Sequence, residues 1–185
     1  MQISRRYFMT LVLALSFFAS PAFADVLMTL ETKYGKTVIK LRPDLAPKHV
    51  AQITELANRH FYDNVVFHRV IDGFMAQTGD PTGTGRGKSD LPNIPAEFSK
   101  EKFIRGTVGM ARGPDNDSAN SQFFICFAPA PYLEEQYTVI GEVVSGMEYI
   151  DKIKRGEPPA NPDKIVKLSV DRKSTRLNSS HVKRS

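Results

Sequence analysis

The sequence predicts a mainly β domain: a closed, eight-stranded antiparallel β-barrel capped by two α-helices. Eight short runs of strand-forming residues are separated by turns or loops, and only two segments have apolar residues at helical spacing. Short strands joined by turns favour antiparallel pairing, and closing the sheet into a barrel removes its exposed edges. The same pattern permits an open α+β sheet, which is the alternative.

The predicted strands are rich in β-branched and aromatic residues and are bounded by turn or loop residues. Tyr34-Gly35 and Asp72-Gly73 are turn signals between neighbouring strands. The Gly- and Pro-rich stretch 79–102 is predicted as a loop. Along the chain, the predicted strands cover residues 26–32, 36–41, 65–71, 74–78, 107–111, 122–126, 138–144 and 164–170.

Two segments follow the helical period instead. A helix over residues 48–59 starts just after Pro47, and proline suits the first turn of a helix. A second, shorter helix is predicted over residues 147–154. The apolar positions that set the two periods are Val50, Ile53, Leu56, Ala57, Met147, Ile150 and Ile153.

Residues 1–24 have the features of an export signal. Arg5 and Arg6 form a short cationic region, and an apolar run without charges follows over residues 7–19. Ala22-Phe23-Ala24 is a small-x-small cleavage site. The apolar run is shorter than the roughly 20 residues of a membrane span, so a periplasmic protein without stable membrane association is expected. The arginine pair also resembles the twin-arginine motif, which leaves the export route open, and a buried core helix is the alternative.

The residues after Val170 differ in composition from the rest of the chain. The eleven residues from Asp171 to His181 contain almost no apolar side chains and follow no period. They resemble translated sequencing-adapter sequence, so we interpret residues 171–185 as a disordered, artefactual tail and residues 25–170 as the folded domain. A native basic tail, which would also be disordered, is the alternative.

Charge and composition describe a near-neutral globular domain. The chain of 185 residues has a formal net charge of +5, and its hydrophobic fraction of 41% is ordinary for a globular protein. Residues 25–170 carry 18 basic and 19 acidic side chains, so the positive excess belongs to the terminal segments. The domain therefore lacks the basic balance that is typical of nucleic-acid-binding proteins.

The sequence contains no motif for a metal, phosphate or nucleophile site. The single cysteine, Cys126, lies in an apolar strand, where a thiol is usually inert. His49, His60 and His68 match no helical metal motif. The glycine-rich stretch 83–89 lacks the preceding glycine of a phosphate loop. We therefore expect neither a metal nor a cofactor.

Large apolar side chains, amides and an arginine are concentrated in three segments, residues 67–80, 110–112 and 121–125. A strand of period two would place Phe67 and Arg69 on one face, and Met75 and Gln77 likewise share a face. Considered one at a time, the apolar residues would be ordinary core and Arg69 a surface ion-pair partner.

Taken together, the segments resemble the cyclophilin family of peptidyl-prolyl cis-trans isomerases. The motifs are F-H-R-V-I-x-G-F-M-x-Q-x-G-D at 67–80, G-T-G at 83–85, M-A-R at 110–112 and S-Q-F-F-I at 121–125. They occur in family order, and the likeness covers essentially all of residues 25–170. The resemblance is strongest to the compact, exported cyclophilins of the bacterial periplasm. The family fold, an eight-stranded antiparallel barrel with two helices, agrees with the strand count above.

The resemblance implies an enzyme that accelerates rotation of X-Pro bonds in exported proteins and so assists their folding. Arg69 would be its catalytic residue. The other implied residues bind substrate: Phe74, Met75, Phe124 and Leu133 in a proline pocket, Gln77, Gln122, Ala111 and Arg112 along the peptide backbone, and Gly83, Tyr132 and Tyr137 around the groove.

Two of these positions depart from the pattern that is frequent in the family. Tyr132 stands where tryptophan is frequent and Tyr137 where histidine is frequent. Both remain aromatic, so the pocket should be retained. Cyclosporin should bind weakly, because that tryptophan contributes to its binding in the family. The expected partners are proline-containing polypeptides, bound by a monomer.

Rotation of a peptide bond forms no new covalent bond, so an isomerase needs no nucleophile, metal or cofactor. This agrees with the absence of such motifs from the sequence. Two other classes of protein stay open at this point. One is a proline-peptide-binding module that uses the same pocket without turnover, and the other is a secreted nucleic-acid binder.

Overall fold

Eight antiparallel strands dominate residues 25–172, the part of the chain that the computed structural model describes. The predicted signal and residues 173–185 of the predicted tail lie outside the described residues. Within 25–172, no helix combines the length and the apolar character needed to cross a membrane. The elements in chain order are β1 (Val26–Thr32), β2 (Gly35–Leu41), α1 (Pro47–Asn58), β3 (Arg69–Ile71), β4 (Met75–Thr78), β5 (Thr107–Met110), β6 (Phe123–Cys126), β7 (Val139–Ser145), α2 (Met147–Ile150) and β8 (Lys167–Arg172), with short 3₁₀ turns at Asn116–Ser118 and Pro131–Leu133.

The sheet is curled but open, so the predicted closure of the barrel is wrong. Its strand order, β3-β4-β6-β5-β7-β2-β1-β8, leaves β3 and β8 as edges. Main-chain hydrogen bonds join the segments that precede these strands, 64–67 and 163–165, around an isolated bridge of Val66 and Lys164, but β3 and β8 themselves do not pair. Closure fails because Val70 of β3 exchanges its outward hydrogen bonds with Gly156, both at 2.8 Å. The mainly β class, the eight antiparallel strands and the two helices are confirmed.

The ends of the predicted elements differ from the observed ones near this open edge. The strand predicted over 65–71 begins only at Arg69. Phe67 lies in the main core, whereas the side chain of Arg69 lies on the opposite face of the sheet. The prediction that the two residues share a face is therefore wrong. The last strand extends to Arg172, two residues beyond the expected domain end. The second helix, predicted over 147–154, ends at Ile150.

The hairpin of β1 and β2 requires a glycine at the end of its turn. The two strands pair from Val26 with Leu41 to Thr32 with Gly35. Gly35 has a φ of +148°, and a Cβ atom there would lie 2.7 Å from the ring of Tyr149. Because a side chain would be strained and would overlap that ring, glycine is required where the hairpin meets the region of α2.

β4 and β6 are buried on both faces, and this positions the functional site. Phe123 and Ile125 belong to the main hydrophobic core. The alternate residues Phe124 and Cys126, together with Met75 of β4, belong to a second hydrophobic cluster. Since successive side chains of a strand point to opposite faces, the second cluster lies on the face opposite the main core, which we call the outer face.

A distant acid caps the N-terminus of α1. Ala46 precedes the helix and provides no side-chain cap. The Glu97 carboxylate instead accepts hydrogen bonds from the main-chain N–H groups of Lys48 and His49, each at 3.1 Å. The same carboxylate lies 2.7 Å from Nδ1 of His49. Burial lowers the pKa of His49, although the neighbouring Glu97 acts in the other direction. Glu97 therefore joins the long loop to the first turn of the helix.

We expect Glu97→Ala to lower the free energy of unfolding by about 2 kcal/mol, because it removes the cap and leaves the buried ring of His49 without its partner. Urea denaturation at pH 7 measures the change. Glu101→Ala removes an exposed acid from the same loop and serves as the control, with an expected effect below about 0.5 kcal/mol. Wild-type stability of Glu97→Ala would contradict the capping role.

Candidate active site

A small pocket with a volume of about 120 Å³ opens on the outer face of the sheet. Five separate stretches of the chain contribute to it, from β3 to the segment before β7. All nine residues that line the pocket are among the predicted site residues: Arg69, Phe74, Met75, Gln77, Ala111, Arg112, Phe124, Leu133 and Tyr137. The fold thus brings most of the predicted site together at one place.

The apolar part of the pocket is an aromatic cluster built around Phe124. Its ring stacks on Phe103 with centroids 5.9 Å apart and meets Tyr137 edge to face at 6.0 Å. Met75 is 1% exposed and packs in the same cluster. Aromatic rings and a thioether adapt well to a small apolar ring. This surface is suited to holding a proline side chain.

Arg69 is the first of two arginines that line the pocket. It lies at the start of β3, directly across the ladder from Gln77 of β4. Its Nε donates to Oε2 of Glu157 at 2.8 Å, and its guanidinium carbon is 6.0 Å from the ring centroid of Phe74. The side chain is 40% exposed, so a bound peptide can reach it. Glu157 was not predicted as a site residue, because nothing in the sequence connects it with a position 88 residues away.

Arg112 forms the opposite wall and is held by main-chain carbonyls. It donates to the carbonyl oxygens of Gly113 at 2.9 Å and Gln136 at 3.1 Å. Its guanidinium also lies 4.7 Å from the ring centroid of Tyr137. The N–H of Ala111 donates to the Gln122 carbonyl at 2.9 Å. A peptide that meets Ala111 would therefore find its carbonyl rather than its N–H group.

A larger cavity of about 450 Å³ adjoins the first one and shares Gln77, Ala111 and Arg112 with it. Gln122 lies in this second cavity. Three basic residues and no acidic residue line it. The sequence did not predict the cavity, because much of its lining comes from glycines and small polar residues of two loops. Besides Gln122 and the three shared residues, the cavity is lined by Gly85, Arg86, Gly87, Lys88, Asn93, Gly113, Ser118, Asn120 and Ser121.

A hydrogen-bond network fixes the wall between the two cavities. Gln77 Nε2 donates to Oε1 of Gln122 at 2.9 Å. Nε2 of Gln122 then donates to the carbonyls of Gly85 and Gly87 at 3.1 and 2.8 Å. The network therefore connects β4, the residue before β6 and the glycine-rich loop.

The glycine-rich loop is organised around one carboxylate, that of Asp80. Oδ1 of Asp80 accepts hydrogen bonds from the N–H and hydroxyl of Thr82, and Oδ2 accepts one from the N–H of Gly85 at 2.6 Å. Burial would raise the pKa of Asp80, but these hydrogen bonds outweigh it and lower the pKa. A Cβ atom at Gly87 would overlap the same carboxylate, so this glycine permits the close approach.

Gly83 and Tyr132, two predicted site residues, lie outside both cavities. A Cβ atom at Gly83 would be 2.9 Å from a methyl group of Val66, so the residue packs against the chain before β3. Tyr132 is 61% exposed, and its ring lies 5.7 Å from that of Phe74. Tyr132 therefore neighbours the first pocket through one of its lining residues.

The described residues contain no group of three or more His, Cys, Asp or Glu side chains arranged to hold a metal ion. Burial raises the pKa of Cys126 to about 12, so its thiol stays protonated near neutral pH. Burial also lowers the pKa of His68, whose neutral ring lies beneath the glycine-rich loop near Gly85. The chemistry available at the pocket is therefore hydrogen bonding and apolar contact.

The site thus combines an apolar pocket, two guanidinium groups and a pair of amides on an open, curled antiparallel sheet, as the resemblance to cyclophilins implies. The family model for cyclophilin-type peptidyl-prolyl cis-trans isomerases matches residues 27–170. The chain therefore belongs to this family, as its motifs indicated, and is a peptidyl-prolyl cis-trans isomerase.

Relatives and solved structures agree with this assignment. A probable peptidyl-prolyl cis-trans isomerase of Brucella suis is 52% identical, with 83% of this chain and 86% of the relative covered. The rat peptidyl-prolyl cis-trans isomerase-like 3 is 38% identical, with 84% and 92% covered. A Cryptosporidium parvum cyclophilin-type isomerase, crystallised in the presence of the dipeptide Ala-Pro, has a TM-score of 0.74 at 27% identity, with 80% and 99% covered.

We expect Gln122→Glu to lower kcat/KM on a proline-containing peptide by about 10-fold, because its two carbonyl partners would face an acceptor instead of a donor. A steady-state isomerisation assay gives the value. Asn58→Asp makes the same change from amide to carboxylate at an exposed residue outside both cavities and should leave kcat/KM near wild type. Equal activity of Gln122→Glu and wild type would show that the network does not hold the site.

Proposed function

We propose that this isomerase acts on proline-containing segments of exported proteins in the periplasm and thereby assists their folding. The proposal is supported by the export-signal pattern of residues 1–24, which precedes the described domain directly. X-Pro bonds isomerise in tens to hundreds of seconds without help, which is slow enough to limit the folding of an exported chain.

Arg69 is the proposed catalytic residue, and the observation that carries this role is its position beside the apolar pocket, opposite Gln77. The barrier to rotation, about 18–20 kcal/mol, arises because the planar amide delocalises the nitrogen lone pair. In the twisted state the prolyl nitrogen regains that lone pair and accepts a hydrogen bond from a guanidinium. Since the planar amide accepts no such bond, the interaction stabilises the transition state selectively.

The pocket holds one side of the rotating bond in place while the other side moves. The proline ring occupies the apolar surface around Phe124 and Met75, which resists displacement because it is packed on a buried cluster. Gln77 hydrogen-bonds near the carbonyl that precedes the proline. The presence of Ala-Pro in the crystals of the Cryptosporidium parvum relative supports a proline-containing ligand for this chain.

The proposed form of the enzyme is a monomer that needs no cofactor and binds no nucleic acid. The first pocket is lined by five stretches of one folded chain, which supports a site complete within one subunit. The near-neutral charge of residues 25–170 supports a polypeptide partner over a polyanion. A binding module without turnover would use the same pocket, and a protease-free isomerisation assay of the wild-type protein separates the two.

Arg69→Ala should lower kcat/KM on a proline-containing peptide by about 100-fold or more, which corresponds to about 2.7 kcal/mol of transition-state stabilisation. Arg69→Lys should have little more activity than Arg69→Ala, because an ammonium group lacks the planar pair of donors. An isomerisation assay and a thermal unfolding curve are recorded for each variant.

The matched control for Arg69 is Arg59→Ala. Arg59 is an exposed arginine that follows α1, pairs with Glu55 and lines neither cavity. It should keep wild-type activity. Near-full activity of a folded Arg69→Ala protein would rule out the catalytic role.

Expression of the full chain in a Gram-negative host tests export. We expect the protein in the periplasmic fraction with Asp25 as its first residue, as read by mass spectrometry, because Ala22-Phe23-Ala24 is the cleavage site. Deleting residues 2–24 should leave the protein in the cytoplasm. Replacing both Arg5 and Arg6 by Lys distinguishes the twin-arginine route from the general secretion route. An uncleaved cytoplasmic protein would contradict the signal assignment.

Cyclosporin should inhibit weakly, and Tyr132→Trp should increase its affinity by about 5- to 10-fold, because the larger ring adds apolar contact area beside Phe74. Titration of isomerase activity with cyclosporin measures both values. Phe98→Trp is a control that enlarges an exposed ring outside both cavities. Potent inhibition of the wild-type protein would contradict the expectation.

A further inference from the structure

We propose that Glu157 is a positioning residue for Arg69: its carboxylate binds Nε and so directs the two terminal nitrogens of the guanidinium to the substrate. The inference rests on the proposed catalytic role of Arg69 and adds a residue that no sequence motif marks. It is carried by the 2.8 Å hydrogen bond between Arg69 Nε and Glu157 Oε2 and by the way the chain around Glu157 is attached to β3.

The segment that carries Glu157 is docked on β3 by its own main chain. The N–H of Gly156 donates to the carbonyl of Val70, and the N–H of Val70 donates to the carbonyl of Gly156, both at 2.8 Å. This pair of bonds is an antiparallel bridge on the outward edge of the strand. It places Glu157 and Arg69, the neighbours of the two bridged residues, beside each other without relying on side chains.

The residues on either side strengthen this arrangement. Arg155 donates from Nε to the Asp72 carboxylate at 3.1 Å, and its guanidinium lies 4.2 Å from the ring centroid of Phe127. Gly156 has a φ of +146°, and a Cβ atom there would lie 2.5 Å from the Cα of Pro159. Only glycine satisfies both conditions, so the local backbone is specified where the bridge to β3 forms.

The hydrogen bond at Nε has a particular consequence for a guanidinium. Within the described residues, Nε is the atom of Arg69 that hydrogen-bonds, which leaves Nη1 and Nη2 as donors for the twisted amide. A long, unbound arginine side chain would lose rotamer freedom each time it reached the transition state. By holding the side chain beforehand, Glu157 removes that cost from the chemical step.

Both side chains are partly exposed, Arg69 by 40% and Glu157 by 53%. An ion pair in such a setting is weakened by water and contributes little to stability. The effect of Glu157 should therefore appear in catalysis rather than in the folding equilibrium. That difference separates a positioning role from a structural one.

The test is a double-mutant cycle of Arg69→Ala and Glu157→Ala, with Glu157→Gln as the conservative variant. Glutamine keeps an oxygen acceptor for Nε but carries no charge. For each protein, kcat and KM are measured on a proline-containing peptide, and unfolding is followed by urea denaturation. Glu134→Ala is the matched control, since it removes an acid that follows pocket residue Leu133, whereas the hydrogen-bond partner of Arg69 is Glu157.

We expect Glu157→Ala to lower kcat by about 3- to 10-fold with KM within about twofold of wild type, because a bond that prepares only the transition state is lost. Glu157→Gln should keep at least about half of the wild-type kcat, and Glu134→Ala should be unchanged. In the Arg69→Ala background, Glu157→Ala should have no further effect, since the two residues act as one unit.

A wild-type kcat for Glu157→Ala would overturn the inference, as would equal losses for the Ala and Gln variants or independent, multiplying effects in the cycle. These outcomes are distinct from failure of the proposed function. If Arg69→Ala itself stays active, the catalytic role of Arg69 falls. If Arg69→Ala is inactive while Glu157→Ala is fully active, only the positioning role falls.

Discussion

The burial of β4 and β6 on both faces is the constraint on which the candidate active site depends. Phe123 and Ile125 are fixed in the main core, and the intervening Phe124 is thereby fixed on the outer face, where it becomes the centre of the pocket. A shift of one residue in the register would exchange the two faces of the strand. The pocket is thus as well defined as the core itself, although it is open to solvent.

The irregular segments around the pocket depend on buried or half-buried polar side chains instead of ladders. Asp80 collects the N–H groups of the glycine-rich loop, and Asn120 accepts from both the N–H and the hydroxyl of Ser89. Glu97 does the same for the first turn of α1. Because main-chain donors that leave solvent need partners, each of these side chains determines the path of a loop. The active site therefore combines a wall set by apolar packing with a rim set by hydrogen bonds.

Sequence reasoning predicted the strands, both helices and most of the pocket, because period and motif are local properties. It failed where the outcome depends on contacts between distant segments. The closed barrel was wrong since Gly156 occupies the outward edge of β3, and the common face of Phe67 and Arg69 was wrong since the chain is not yet a strand at Phe67. Glu157 and the larger cavity were not predicted for the same reason, because neither is marked by a local sequence pattern.

The position of β1 links the two ends of the domain. This first strand lies between β2 and β8, so Val26 pairs with Leu41 on one side and with Arg172 on the other. Ribosomes make chains from the N-terminus, and the partner on the second side is the last strand to be synthesised. The ladder of β1 can be completed only after β8 has been synthesised, so this pairing must follow the rest of the domain. A peptidyl-prolyl isomerase of this topology must itself wait for the six residues of β8 before its sheet is complete.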